Sequence, residues 1–240
     1  MISFYIMQNS LQEGANCILE GKYEEAIKLF EEAASHNETK SMIILGNIYY
    51  DGKYAKQNYE KAKYYYQMAM DHNDSDGALR IGNMYYYGQG YEQNYVKARE
   101  YYEIGAQFNN DCAYHNLGDI YQNGHGVEKN INKAIEYYEI STRYGNQSAP
   151  FKLGNIYLLG NGVEPNYSKA HEYYEIAKER DNPYVYSKLG YMYCEGLGFE
   201  VDYSKACEYF EIGISKNDPE SIHNLANLYF VGVGVEKDYS

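Results

Sequence analysis

The chain has 240 residues, of which 34 are acidic and 21 basic, giving a formal net charge of −13; it carries 33 Tyr, no Trp and only 4 Pro. That acidity excludes a general phosphate binder, because nucleic acid is held by Lys and Arg that displace counterions, and it argues against docking on an anionic membrane face. No stretch approaches the ~20 apolar residues of a membrane span, and the apolar run at Phe4–Met7 lacks the basic flank and small-residue cleavage site of a signal peptide. Cytoplasmic localisation is therefore expected. Cys17, Cys112, Cys194 and Cys207 show no CxxC spacing and are read as free thiols of a reducing compartment.

In chain order, residues 1–37 predict a capping hairpin. Its Gly14 lies 12 residues before Ala26, and Glu20-Gly21-Lys22-Tyr23-Glu24-Glu25-Ala26 marks its turn and second helix. From there the sequence repeats. A Leu-Gly or Ile-Gly pair places its second residue at Gly46, Gly82, Gly118, Gly154 and Gly190, then Ala226, every step being 36 residues. A second marker, the Ala at 62, 98, 134, 170 and 206, keeps the same step. Two markers with one period define a repeat array, divided at 38–74, 75–110, 111–146, 147–182 and 183–218, with 219–240 as an incomplete last repeat.

Each repeat reads as two helices. Helix A carries the Gly marker between two apolar residues four apart, such as Ile81 and Tyr85, which share a helix face. A helical Gly costs ~1 kcal/mol, so its recurrence implies close packing of a neighbour. Asn182-Pro183 and Asp218-Pro219 read as an N-cap followed by Pro at the first helical position. Helix A ends at a Gly-x-Gly turn: Gly88/Gly90, Gly124/Gly126, Gly160/Gly162, Gly196/Gly198 and Gly232/Gly234, with glycine supplying positive φ. Helix B opens at Asn58, Asn94, Asn130, Asn166, Asp202 and Asp238, N-caps by type and position. The pairs Tyr65-Tyr66, Tyr101-Tyr102, Tyr137-Tyr138, Tyr173-Tyr174 and Tyr209-Phe210 follow, one ring of each placed to pack between hairpins.

Leu-Gly-x-x-Tyr, Gly-x-Gly-Val and Lys-Ala-x-x-Tyr-Tyr, seen best from Leu117 to Tyr138 and from Leu153 to Tyr174, resemble the Sel-1-like repeat, a relative of the tetratricopeptide repeat with a longer inter-helix turn. The resemblance covers residues 38–240. It implies an all-α, α/α superhelical solenoid of about six 36-residue repeats that works as an adaptor or scaffold for protein partners. Residues 1–37 resemble an ordinary tetratricopeptide hairpin. Many proteins with this repeat belong to pathogens or large viruses and act on host pathways; if this chain comes from such a source, the host cytoplasm is the expected site of action.

Nothing in the sequence signals catalysis. The Gly-x-Gly motifs recur between helices, without the preceding strand that a dinucleotide fingerprint requires. The six histidines have no metal-ligand spacing, and no Ser or Cys sits in a nucleophile signature. The expectation is no enzyme, no cofactor, no metal and no catalytic residue.

The expected site is a concave groove lined by helix A. One residue after the Gly marker stand Asn47, Asn83, Asp119, Asn155, Tyr191 and Asn227. An Asn amide offers donors and an acceptor together, so a ladder of them suits the backbone of an extended peptide. Tyr50, Tyr86, His115, Phe151 and His223 flank it as anchors. The net acidity suggests a partner of basic character. Two alternatives stay open: a self-assembling protein that associates through an open C-terminal end, helix A at about 219–231 having one uncovered face, or a regulatory piece of a larger protein.

Overall fold

The N-cap and turn pattern builds helix after helix. The computed structural model describes residues 2–232, with side chains from Ser10 onward; Gly234 and Asp238, expected as turn glycine and N-cap, lie outside the described residues. Thirteen helices and no strand occur among the described residues. They are α1 (Ile2–Leu19), α2 (Tyr23–Ser35), α3 (Thr39–Asp51), α4 (Tyr59–Asp71), α5 (Ser75–Tyr87), α6 (Tyr95–Gln107), α7 (Asp111–Asn123), α8 (Ile131–Arg143), α9 (Ala149–Leu159), α10 (Tyr167–Glu179), α11 (Val185–Glu195), α12 (Tyr203–Ser215) and α13 (Pro219–Val231). The chain divides into two compact units, residues 1–129 and 130–240. The first holds α1 to α7, with α1/α2, α3/α4 and α5/α6 as antiparallel hairpins. The second holds α8 to α13, with α9/α10 and α11/α12 as hairpins.

Capping explains the boundaries. The side chains of Asn58, Asn94, Asn130, Asn166 and Asp202 each accept from the backbone N–H three residues on, at 2.9–3.0 Å, which satisfies a donor the helix leaves open. Gly52, Gly88, Gly124, Gly160, Gly196 and Gly232 close the A helices in the left-handed region, φ between +66° and +73°. One boundary differs from expectation. Pro183 is not the first helical residue: α11 begins at Val185, and Asn182 accepts from Tyr184 N at 3.0 Å in the turn before it. Pro219 does open α13 behind the Asp218 cap.

The recurrent helical Gly has a steric cause. A Cβ on Gly46, Gly82, Gly154 or Gly190 would stand 2.2–2.5 Å from a ring carbon of Tyr66, Tyr102, Tyr174 or Phe210, the second aromatic of helix B in the same repeat. Gly14 relates to Phe30 in the same way, at 2.6 Å. These rings are almost fully buried. Helix propensity favours Ala at such positions, and the ring forbids it.

The B-to-A turns carry a third column of period 36. Asn37, Asn73, Asn109, Asp181 and Asn217 all have φ between +57° and +67°, and Gly145 fills the same phase. Asn and Asp tolerate this region better than other side chains. In α13, Ile222, Phe230 and Val231 are exposed, while Leu225 and Leu228 pack on Tyr193, Ala206 and Phe210.

Candidate functional site

Three columns in the A helices are set by the Gly marker, and the column one residue after it shows how sequence chemistry fixes the surface. Tyr66 donates to Asn47 Oδ1, Tyr102 to Asn83 Oδ1 and Tyr174 to Asn155 Oδ1, each at 2.8 Å and each between residues 19 apart. A buried tyrosine needs a partner for its hydroxyl, and the Asn carbonyl supplies it. Where the buried ring is Phe210, with no hydroxyl, the column holds Tyr191 instead of Asn. Asn83 Oδ1 also accepts from Asn116 Nδ2 at 3.2 Å. No bond from Nδ2 occurs for Asn47, Asn83 or Asn155 among the described residues, and none of these Nδ2 atoms is buried without a partner. The three amides therefore face inward with oxygen and outward with N–H.

The remaining candidates spread over different environments. Asp119 is half-buried, its carboxylate 3.6 Å from His115 Nδ1. Tyr191 is 42% exposed, and Asn227 and His223 are exposed. Phe151 packs beside the rings of Tyr174 and Tyr184, with centroids 6.0 and 6.4 Å away. Tyr50 and Tyr86 are half-buried and are tied to the next repeat. Tyr50 donates to Gln89, and the Tyr86 hydroxyl pairs with His125 Nδ1 at 2.8 Å. Gln89 and His125 are the middle residues of Gly-x-Gly turns, so one turn locks onto the preceding A helix. His125 also stacks on Tyr95, with centroids 4.5 Å apart. Burial pushes the Tyr86 hydroxyl up to about 12, helped by the Asp119 charge, so it stays protonated at neutral pH.

The helix-B side holds features that the sequence reading did not single out. The first ring of each aromatic pair stacks on the helix-A tyrosine of its own repeat: Tyr65 on Tyr49, Tyr101 on Tyr85, Tyr173 on Tyr157 and Tyr209 on Tyr193. Centroids are 5.7–5.9 Å apart and the planes within 12°. The Lys before the Ala marker sits over the same helix-A ring at 4.4–5.1 Å for Lys61, Lys97, Lys169 and Lys205, a cation–π contact. Tyr65 and Tyr173 donate to Glu31 and Glu139 of the preceding repeat at 3.1 and 2.9 Å. Burial and these carboxylates raise both phenol pKa values. Clefts open beside Tyr101 (about 390 Å³, with Gln67, Lys97 and Ile104) and beside Tyr209 (about 440 Å³, with Lys178, Glu208 and Ile212). None of the candidate groove residues lines them.

Among the described residues, no group of three or more His, Cys, Asp or Glu is placed to hold a metal ion, and no helix is long and apolar enough to cross a membrane. No disulfide joins the four cysteines among the described residues. Burial pushes the Cys194 thiol up to about 11, with the Cys207 thiol adding to it, away from the thiolate a nucleophile needs.

The Sel1 repeat family model matches residues 11–38, 39–74, 75–107, 113–145, 148–182, 183–218 and 219–240. A Sel1 repeat protein from Oxalobacter formigenes is 26% identical with a TM-score of 0.84, over 95% of this chain and 94% of its own. A protective antigen of uropathogenic Escherichia coli strains, displaying an SLR fold, is 27% identical with a TM-score of 0.81. It covers 89% of this chain, which spans 46% of the antigen's length. An immunity protein from Pseudomonas aeruginosa shares the fold at 19% identity and TM-score 0.57, over 90% of this chain and 83% of its own. No curated protein matches the chain.

Proposed function

The chain belongs to the Sel1 repeat family, and from that premise we propose that it is a scaffold whose helix-A face binds an extended segment of a protein partner. Sel1 repeat proteins are generally protein-interaction scaffolds. One observation carries the choice of face: the same helix position brings a surface amide to Asn47 and Asn83 in the first unit and to Asn155 in the second. Aromatic residues held rigid by their own bonds, Tyr50 and Tyr86, stand beside it. A recurring, preorganised polar column on a regular scaffold suits a polymeric ligand, and rigid aromatics bind at low entropic cost. The reading includes a partner of basic character, in keeping with the net charge of −13.

Truncating Asn alone strands a buried tyrosine hydroxyl, at about 1–3 kcal/mol, so a test of this face removes both members of the pair. Peptides selected on the wild-type protein from a phage-displayed library of random dodecapeptides are titrated against Asn47→Ala/Tyr66→Phe combined with Asn83→Ala/Tyr102→Phe. A tenfold or greater loss of affinity at unchanged helical content is expected. Equal binding removes the helix-A face from consideration.

A second reading, self-association through α13, is favoured by exposed Ile222, Phe230 and Val231 on a helix whose one charged side chain, Glu220, is bound to Lys188 at 2.6 Å. Light scattering at high micromolar concentration decides it: a dimer is expected, and a monomer rejects it.

A further inference from the structure

The helix-A amides are half-committed, and this restricts what they are able to recognise. A free Asn side chain offers two N–H donors and one acceptor oxygen, so a surface Asn pairs equally with backbone carbonyl and N–H groups. Here that freedom is gone. The Oδ1 atoms of Asn47, Asn83 and Asn155 each accept from a buried tyrosine at 2.8 Å. Asn83 Oδ1 carries a second donor, Asn116 Nδ2, which opposes an amide flip by requiring two bonds to break together. Tyr66, Tyr102 and Tyr174 are at most 1% exposed, so their hydroxyls find no water in exchange. Burial raises their pKa values, so each hydroxyl keeps the proton that it donates to Oδ1.

We propose that, within each unit, the helix-A amides act as one-way donors and hold a partner through the carbonyl oxygens of an extended backbone, leaving its N–H groups to solvent. This rests on the helix-A face being the docking surface. The occupant is an extended polypeptide segment, because a backbone carbonyl is the acceptor that recurs along a polypeptide regardless of side chain. Selectivity then falls to the neighbouring column, where half-buried Ile43 and Leu79 line the first unit. The arrangement predicts a binder tolerant of partner sequence and sensitive to partner conformation: a helix, whose carbonyls are internally bonded, is rejected.

Asparagine and aspartate separate the donor from the acceptor. Asn47→Asp with Asn83→Asp keeps an oxygen for Tyr66 and Tyr102, hence the fold, and deletes both outward N–H groups. With the dodecapeptides selected above, restricted to uncharged ones, the full-length double variant is expected to bind at least tenfold more weakly, about the effect of losing one to two hydrogen bonds. Circular dichroism and the urea midpoint report the fold. A thioamide scan of one selected peptide gives the second arm: sulfur accepts weakly, so affinity drops at one or two carbonyl positions. If the Asp variant binds as the wild type while the Asn→Ala/Tyr→Phe pairs lose binding, the donor-only assignment fails and the docking face stands. If neither variant loses binding, the docking face itself fails. A thioamide scan without effect at any position also overturns the assignment.

Discussion

The hairpins α5/α6 and α11/α12 follow one 36-residue template with different chemistry at its centre. In α5/α6 the buried ring is Tyr102, over Gly82 and bonded to Asn83. In α11/α12 it is Phe210, over Gly190, and Tyr191 replaces the Asn. Glycine is retained in both, because both rings approach within 2.5 Å of where a Cβ would stand. Asn is retained only with the hydroxyl. Two neighbouring residues in the repeat thus answer to two separable demands, one of shape and one of hydrogen bonding.

The largest expected effect tests shape. Gly82→Ala and Gly190→Ala each force a buried ring or a helix to move, and each should destabilise by about 1–3 kcal/mol in urea unfolding, as overpacked cores do. The two should match. A silent Gly190→Ala beside a costly Gly82→Ala would mean that the ring contact is not why glycine recurs.

Hydrogen bonding is tested by moving the hydroxyl. Phe210→Tyr places a buried O–H where no amide waits, and is expected to cost about 1–3 kcal/mol. Adding Tyr191→Asn should recover most of it, although each change alone is unfavourable or neutral. A double-mutant cycle with no coupling would refute the pairing. The converse, Tyr102→Phe, is expected to cost less, about 0.5–1.5 kcal/mol, since Asn83 Oδ1 keeps the bond from Asn116.

These pairs show what a single sequence discloses. The period, the caps at Asn58 or Asn94 and the turn at Gly88/Gly90 follow from local chemistry, which a linear text carries. The helical Gly pointed to a close neighbour. That Asn83 serves Tyr102 depends on a contact across 19 residues, yet its trace was present: Asn or Asp stands 19 residues before each Tyr of this phase, and Tyr191 before Phe210. The left-handed column at Asn37, Asn73, Asn109, Gly145, Asp181 and Asn217 had a trace as plain, residues that tolerate positive φ at one strict period. The locks of Tyr50 on Gln89 and Tyr86 on His125 were less accessible, because the turn residue between the glycines varies and only geometry brings it to the previous helix.

The smallest effect comes from a second contrast, one helix turn along. Lys63 and His171 share one repeat position, and the turn residue each meets is Tyr91 or Phe199 of the next repeat. Lys63 Nζ lies over the Tyr85 and Tyr91 rings and donates to the Tyr85 hydroxyl at 2.9 Å. Burial opposes its charge, but that bond and the nearby hydroxyls outweigh it and raise the pKa. His171 meets Phe199 edge-on at 4.7 Å. Burial lowers its pKa, Glu175 opposes this, and Lys178 and Lys205 reinforce it. A histidine whose folded pKa is depressed binds fewer protons folded than unfolded, so its contribution is full above the unfolded value of about 6.5 and declines as pH falls from there toward the folded pKa. The unfolding midpoint should therefore drop slightly more between pH 7 and pH 5.5 in the wild type than in His171→Gln, while Lys63→Met leaves the slope over that window unchanged. Equal slopes for wild type and His171→Gln would show that the edge-on contact tolerates the imidazolium, and that this junction, unlike that of Lys63, is indifferent to the charge at its centre.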